Sequence, residues 1–231
     1  MCLPNKVETV LILGGTKEAA ALAAELVRDH PDWRVITSLA GRTKEPKPLA
    51  GEVRIGGFGG VEGLATYLLS EQITSLIDAT HPFARQISAN AKRAAELTGI
   101  PLDIRTRQPW KKQPGDNWLE VNSLEEARDA LPANARVLLA LGSQHIALFA
   151  SRPDVHFFVR MVDTPDTPLE LADYELVIGM PGTVEEEEAL LKRHGITHIV
   201  CRNSGGDGAY AKIEAAREGA VTVVVIAQPQ S

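Results

Sequence analysis

The stretch VLILGGTKEAAALAAEL, residues 10–26, decides how this chain folds. Its apolar opening does not alternate, which suits a strand buried on both faces. Two glycines then lead into a helix with Ala19, Leu22, Ala23 and Leu26 along one side. Strand, glycine turn and helix in that order open a parallel α/β unit. Gly14 and Gly15 let backbone amides approach an anion, and Thr16 can cap a helix whose N-terminus carries partial positive charge. A plain tight turn explains a Gly-Gly pair as well. The spacing is not GxGxxG and no GK[ST] follows, so nucleoside-triphosphate hydrolysis loses its main support.

Outward from this stretch the same alternation runs along the whole chain. Strands are expected near 8–13, 33–38, 52–55, 74–79 and 101–105, with helices near 17–29, 61–71 and 84–98. Residues 109–117, within QPWKKQPGDNW, carry Pro109, Pro114 and Gly115 without apolar periodicity and read as a linker or edge loop. Beyond it strands are expected near 118–121, 136–141, 155–162, 174–178, 197–202 and 221–226, and helices near 123–131, 144–150, 183–194 and 208–218. The expected architecture is α/β: two Rossmann-like subdomains with parallel sheets, 1–108 and 118–231, joined by 109–117.

Composition narrows the function classes. With 231 residues and 44% hydrophobic content the chain can bury a sizeable core. No apolar run approaches the roughly 20 residues of a spanning helix, so no membrane partner is expected. Two cysteines exclude a disulfide framework and a four-thiolate zinc site. The six histidines form no HExxH, and no metal site is expected. The opening MCLPNKVETVLILGG enters a strand without the three regions of a signal peptide, which makes the cytoplasm the expected address. A formal charge of −6 repels polyanions, so nucleic acid is not an expected partner.

Five further places carry chemistry. The second strand runs into SLAGR, where an acidic residue would favour the free ribose hydroxyl of NAD; Ser38, Arg42 and Lys44 point instead to a 2′-phosphate and NADP, unless Arg42 is simply solvated. VRIGGFGGVEGL has five glycines between Gly56 and Gly63 and places Gly57, Phe58 and Gly59 where backbone can pass close to a ligand or form a flexible lid. SLIDATHPFARQ puts Asp78, Thr80 and His81 at a strand's carboxyl end, with Pro82 suited to a first helical turn; His81 can move a proton or act as a cap. HIVCRNSGGDGAYAKIEAAR offers Asn203, Ser204 and Gly205 as donors, and Lys212 either aims at an acidic ligand or is solvated. Arg105, Arg107, Lys111, Lys112 and Arg160 form a basic group suited to several carboxylates, or to a protected strand edge.

In their order, ILGGTKEAAALA, SLAGR, VRIGGFGGVEGLATYL, IDATHPFARQISANA, RQPW, LALGSQ, NSGG and KIEAAR resemble the precorrin-6A reductases of cobalamin biosynthesis over nearly the whole chain. The resemblance implies hydride transfer from NADPH to the ring-contracted macrocycle of precorrin-6A, giving precorrin-6B. It implies a cleft between the halves holding cofactor and tetrapyrrole. The glycine turns would then serve the dinucleotide phosphates, Arg42 the 2′-phosphate, and Arg105, Arg107, Arg160 and Arg202 the acetate and propionate arms. His81 and Lys212 are the expected catalytic groups. Where the family usually reads Lys-Asn-Ser-Gly-Gly, this chain has Arg202, and a planar fork in place of a compact ammonium puts a proton-donor role there in doubt. Two alternatives remain open at this stage: an NADH-dependent enzyme acting on the cobalt-containing substrate, and a non-catalytic nucleotide-binding sensor.

Overall fold

Residues Thr9–Leu13 form strand β1 and all five are buried, as a central parallel strand covered on both faces requires. Successive side chains serve opposite faces: Leu11 and Leu13 pack with Leu64, Leu68, Leu76 and Ala91, whereas Val10 and Ile12 pack with Ala19, Ala23, Val35 and Ile77. The computed structural model describes residues 7–41 and 48–229, and the chain divides into two compact units, Met1–Thr106 and Arg107–Ser231.

In the first unit β1 is followed by α1 (Lys17–Asp29), β2 (Arg34–Leu39), β3 (Glu52–Ile55), α2 (Gly60–Ser70), β4 (Ser75–Asp78), α3 (Arg85–Thr98) and β5 (Leu102–Ile104). The strands form one parallel sheet in the order β3-β2-β1-β4-β5. Strand order reverses beside β1, and in open α/β sheets that reversal is where ligands bind, outside the carboxyl ends. As the Gly99-Pro101 stop signal predicts, α3 ends with Gly99 in the left-handed conformation.

The second unit contains β6 (Trp118–Val121), α4 (Leu124–Asp129), β7 (Arg136–Ala140), β8 (His156–Met161), β9 (Tyr174–Ile178), α5 (Val184–Arg193), β10 (His198–Arg202), α6 (Ala211–Glu218) and β11 (Thr222–Ile226). Its parallel sheet has the order β6-β11-β10-β7-β8-β9. Both units are thus Rossmann-like layers. The helix expected at 144–150 is a 3-10 helix, Ser143–Ser151, whose buried Ile146 and Phe149 stand three residues apart, matching the three-residue turn. The helix expected from 208 begins only at Ala211, because Gly205 and Gly206 both take positive φ and a turn from Asp207 to Tyr210 intervenes.

Residues 109–117, read from sequence as a linker or edge loop, are bonded to the second unit. Trp110 meets Asn203 and Gly206, and Arg217 pairs with the buried carboxylate of Asp116 at 2.8 Å. Among the described residues no helix is long and apolar enough to cross a membrane.

Candidate functional site

Three turns meet at the carboxyl edge of the first sheet. Gly14 N donates to Ser38 O at 3.0 Å, and a Cβ on Gly14 would stand 2.9 Å from Thr37 Cγ2, so glycine lets the β1 turn lie close to β2. Gly15 has φ of +103°, and a Cβ there would meet nothing within 4 Å. Thr16 Oγ1 accepts from Ala19 N at 3.0 Å, capping α1, and donates to Ala79 O at 3.1 Å. That second bond ties the β1 turn to the end of β4 across the point where strand order reverses. The open space before Gly15, beside the positive end of α1, fits the phosphates of a dinucleotide.

The glycine-rich turn after β3 is organised by Arg54, a residue the sequence reading passed over. Its Nη1 donates to Gly56 O and, at 3.4 Å, to Ser38 Oγ; Nη2 donates to Gly57 O at 2.8 Å. The guanidinium lies 3.8 Å from the centroid of Phe58, whose other neighbour is Tyr67. Gly57 has an ordinary φ and a Cβ there would touch nothing within 4 Å. Neither strain nor packing among the described residues demands glycine at that position, and its face is open. Gly59 precedes α2 in a left-handed conformation. Arg42 and Lys44 lie outside the described residues.

At the end of β4 the buried Asp78 accepts from Thr80 N at 3.1 Å and from Thr80 Oγ1 at 2.7 Å. His81 Nδ1 accepts from Phe83 N at 3.3 Å, which leaves the neutral ring's proton on Nε2. Pro82 was expected inside the first turn of α3. It lies instead in a turn before the helix, closed by Ala84 N donating to His81 O, because α3 starts at Arg85. Arg105 follows β5, its N bonded to Asp78 O and its exposed guanidinium paired with Asp103 at 2.7 Å.

The second unit treats its expected site residues differently. Asn203 Oδ1 accepts from Trp110 N at 2.7 Å, and Asn203 Nδ2 donates to Trp110 O at 3.0 Å. Gly205 has φ of +63° and a Cβ there would lie 2.3 Å from Gln108 O. Trp110 Nε1 donates to Gly206 O at 2.7 Å. Asn203 and Gly205, expected as donors to substrate, therefore hold residues 107–110 against the turn after β10. Ser204 is buried, its N bonded to Arg202 O. Arg202 bonds to His145 of the 3-10 helix, which Gln144 also meets at 3.0 Å. The segment that Arg107 opens lies over Gly205.

Two expectations need correction. Lys212 is neither solvated nor aimed outward: it is 3% exposed, bonds to Ala209 O, and sits 5.0 Å from the Trp110 ring. Burial pushes its pKa below the ordinary lysine range, and the same surroundings push the Cys201 thiol up. Arg160 was grouped with surface cations, yet its Nη1 is 2.8 Å from Glu187 Oε2 with both side chains buried. Glu187 also accepts from Gly182 N at 3.0 Å. In the run Glu185–Glu188 nothing but its place four residues before buried Leu191 distinguishes this glutamate.

Comparison with known proteins gives matches over nearly the whole chain. The family described as precorrin-6x reductase CbiJ/CobK matches residues 9–231. A precorrin-6A reductase of Rhodobacter capsulatus is 46% identical over 222 residues, spanning 95% of this chain and 88% of that protein. A cobalt-precorrin-6A reductase of Priestia megaterium is 29% identical over 233 residues, 96% of this chain and 91% of its own. A solved structure of CobK precorrin-6A reductase superimposes with a TM-score of 0.93 at 46% identity, covering 97% of this chain and 89% of that one.

Proposed function

The chain belongs to the precorrin-6x reductase family, and from that premise we propose that it reduces precorrin-6A to precorrin-6B with NADPH in cobalamin biosynthesis. One observation carries the cofactor half: Thr16 caps α1 and bridges to Ala79, beside the open face of Gly15. That arrangement sets amide donors and a helix N-terminus where a pyrophosphate can be met. The higher identity to the Rhodobacter capsulatus precorrin-6A reductase, 46% against 29% for the cobalt-precorrin-6A reductase, supports the metal-free substrate.

Bound at this edge, NADPH supplies the hydride. Gly14, Gly15 and Thr16 hold the phosphates. Ser38 would meet the 2′-phosphate, the role the sequence also gives to Arg42, and Gly57, Phe58 and Gly59 would form an open wall beside it. Thr80 is fixed by Asp78 so that His81 and Pro82 present a constant turn, and His81 holds a proton at Nε2 for the reduced carbon's neighbour. Arg105, Arg107, Arg202 and Ser204 serve the acidic arms of the tetrapyrrole, because a guanidinium takes a carboxylate in a two-bond fork. Arg160, Asn203, Gly205 and Lys212 act as positioning residues within the second unit. Partners are small molecules, and the setting is the cytoplasm.

The test is an anaerobic assay following NADPH oxidation with precorrin-6A, checked by product mass. With wild type, the macrocycle gains two hydrogens, one as hydride from NADPH and one as a proton. Charge reversal at Arg105 and Arg107 raises KM for the tetrapyrrole while leaving NADPH affinity intact, whereas a protein that binds NADPH but never reduces precorrin-6A refutes the reading.

A further inference from the structure

Arginines in this protein ordinarily have acidic partners. Arg34 grips Glu52 through Nε and Nη2 at 2.9 and 2.8 Å, and Arg152 grips Asp154 through the same edge at 2.9 and 2.7 Å. Arg54 is different. Its described acceptors, Ser38 Oγ, Gly56 O and Gly57 O, are all neutral. They engage Nη1 and one of the two protons of Nη2, so Nε and the second Nη2 proton have no acceptor among the described residues. The plane is already fixed by the Phe58 ring at 3.8 Å, so little side-chain freedom remains to be lost on binding.

Its position is equally specific. Leu13 is in register with Ser38, and Ser38 with Arg54, so one row crosses β1, β2 and β3 just below the carboxyl edge. A dinucleotide whose phosphates lie at the β1 turn extends its adenosine ribose past the end of β2. Among the described residues at that end of β2 stands Ser38, and none there is a carboxylate that would accept from a free 2′-hydroxyl.

We propose that Arg54 is a specificity-determining residue that takes the cofactor's 2′-phosphate through its Nε–Nη2 edge; the proposal rests on the NADPH reading above. A phosphate provides the two oxygens that the edge can bind in parallel, and a negative charge to match an uncompensated guanidinium. A 2′-hydroxyl provides neither.

The experiment is calorimetric titration of the full-length chain with 2′,5′-ADP, 5′-AMP, NADPH and NADH, none of which needs turnover. Wild type should bind 2′,5′-ADP at least about tenfold more tightly than 5′-AMP. Arg54→Gln should remove that ratio while moving 5′-AMP and NADH by less than about twofold. Arg54→Lys, which keeps charge without the fork, should fall between and serves if the glutamine variant does not fold. Parallel loss for both nucleotides would assign Arg54 to loop organisation alone and overturn the proposal. So would an unchanged ratio, or a loss seen in Arg42→Gln and not in Arg54→Gln. A wild type that binds NADPH and NADH equally overturns this inference alone, whereas one that binds neither overturns the cofactor reading with it.

Discussion

Replacing Asn203 by alanine tests whether residues 107–110 are held to the second unit by one side chain. Asn203 makes two bonds to the backbone of Trp110, at 2.7 and 3.0 Å, across 93 residues of sequence. Truncation removes both and leaves an N–H and a carbonyl at a half-buried position, each of which costs about 1–1.5 kcal/mol when water reaches it partly. The expected loss is about 2–3 kcal/mol of unfolding free energy, the sum of the two groups. Urea titration followed by tryptophan fluorescence measures it, because Trp110 and Trp118 both lie in this unit. Hydrogen exchange at the Trp110 amide supplies a local check and should rise by the same free energy. A loss under about 0.5 kcal/mol, with Trp110 exchange unchanged, would refute the reasoning and return Asn203 to the role of a substrate donor.

Other variants probe buried charge. In Lys212→Met the ammonium is gone. Burial lowers the wild-type lysine below its ordinary range, so the unfolded chain binds more protons there and wild-type stability rises with pH through the lowered value towards the ordinary one. The variant should lack that alkaline gain and be more stable at neutral pH by about 1 kcal/mol; an identical pH slope in both proteins would contradict this. Arg160→Met leaves Glu187 buried without its partner and should cost about 3–5 kcal/mol, while Arg160→Met with Glu187→Leu should recover most of it. Thermal unfolding of both variants decides, and a double variant no better than the single one would count against a paired site.

The residues most legible in sequence were those whose roles are local. A run of apolar residues, a glycine turn and a cap specify β1 and α1 without reference to distant parts of the chain, since each works through neighbours a few positions away. Alternating elements likewise specify two parallel sheets, and the GGFGG and ATHPFA segments announced turns at strand ends. Roles that depend on a partner far along the chain were hidden. Asn203 looks like a free donor until Trp110, 93 residues earlier, is laid against it; Arg160 and Lys212 look like surface cations until α5 and Trp110 enclose them. Arg54 is one arginine in a strand until the register sets it beside Ser38. Sequence by itself determined the order, type and handover of the elements, because short-range backbone preferences and periodic burial are written residue by residue. Only the tertiary structure decided which polar groups face one another and which remain open, because hydrogen bonds and ion pairs act over a few ångströms and depend on which strands the fold makes neighbours.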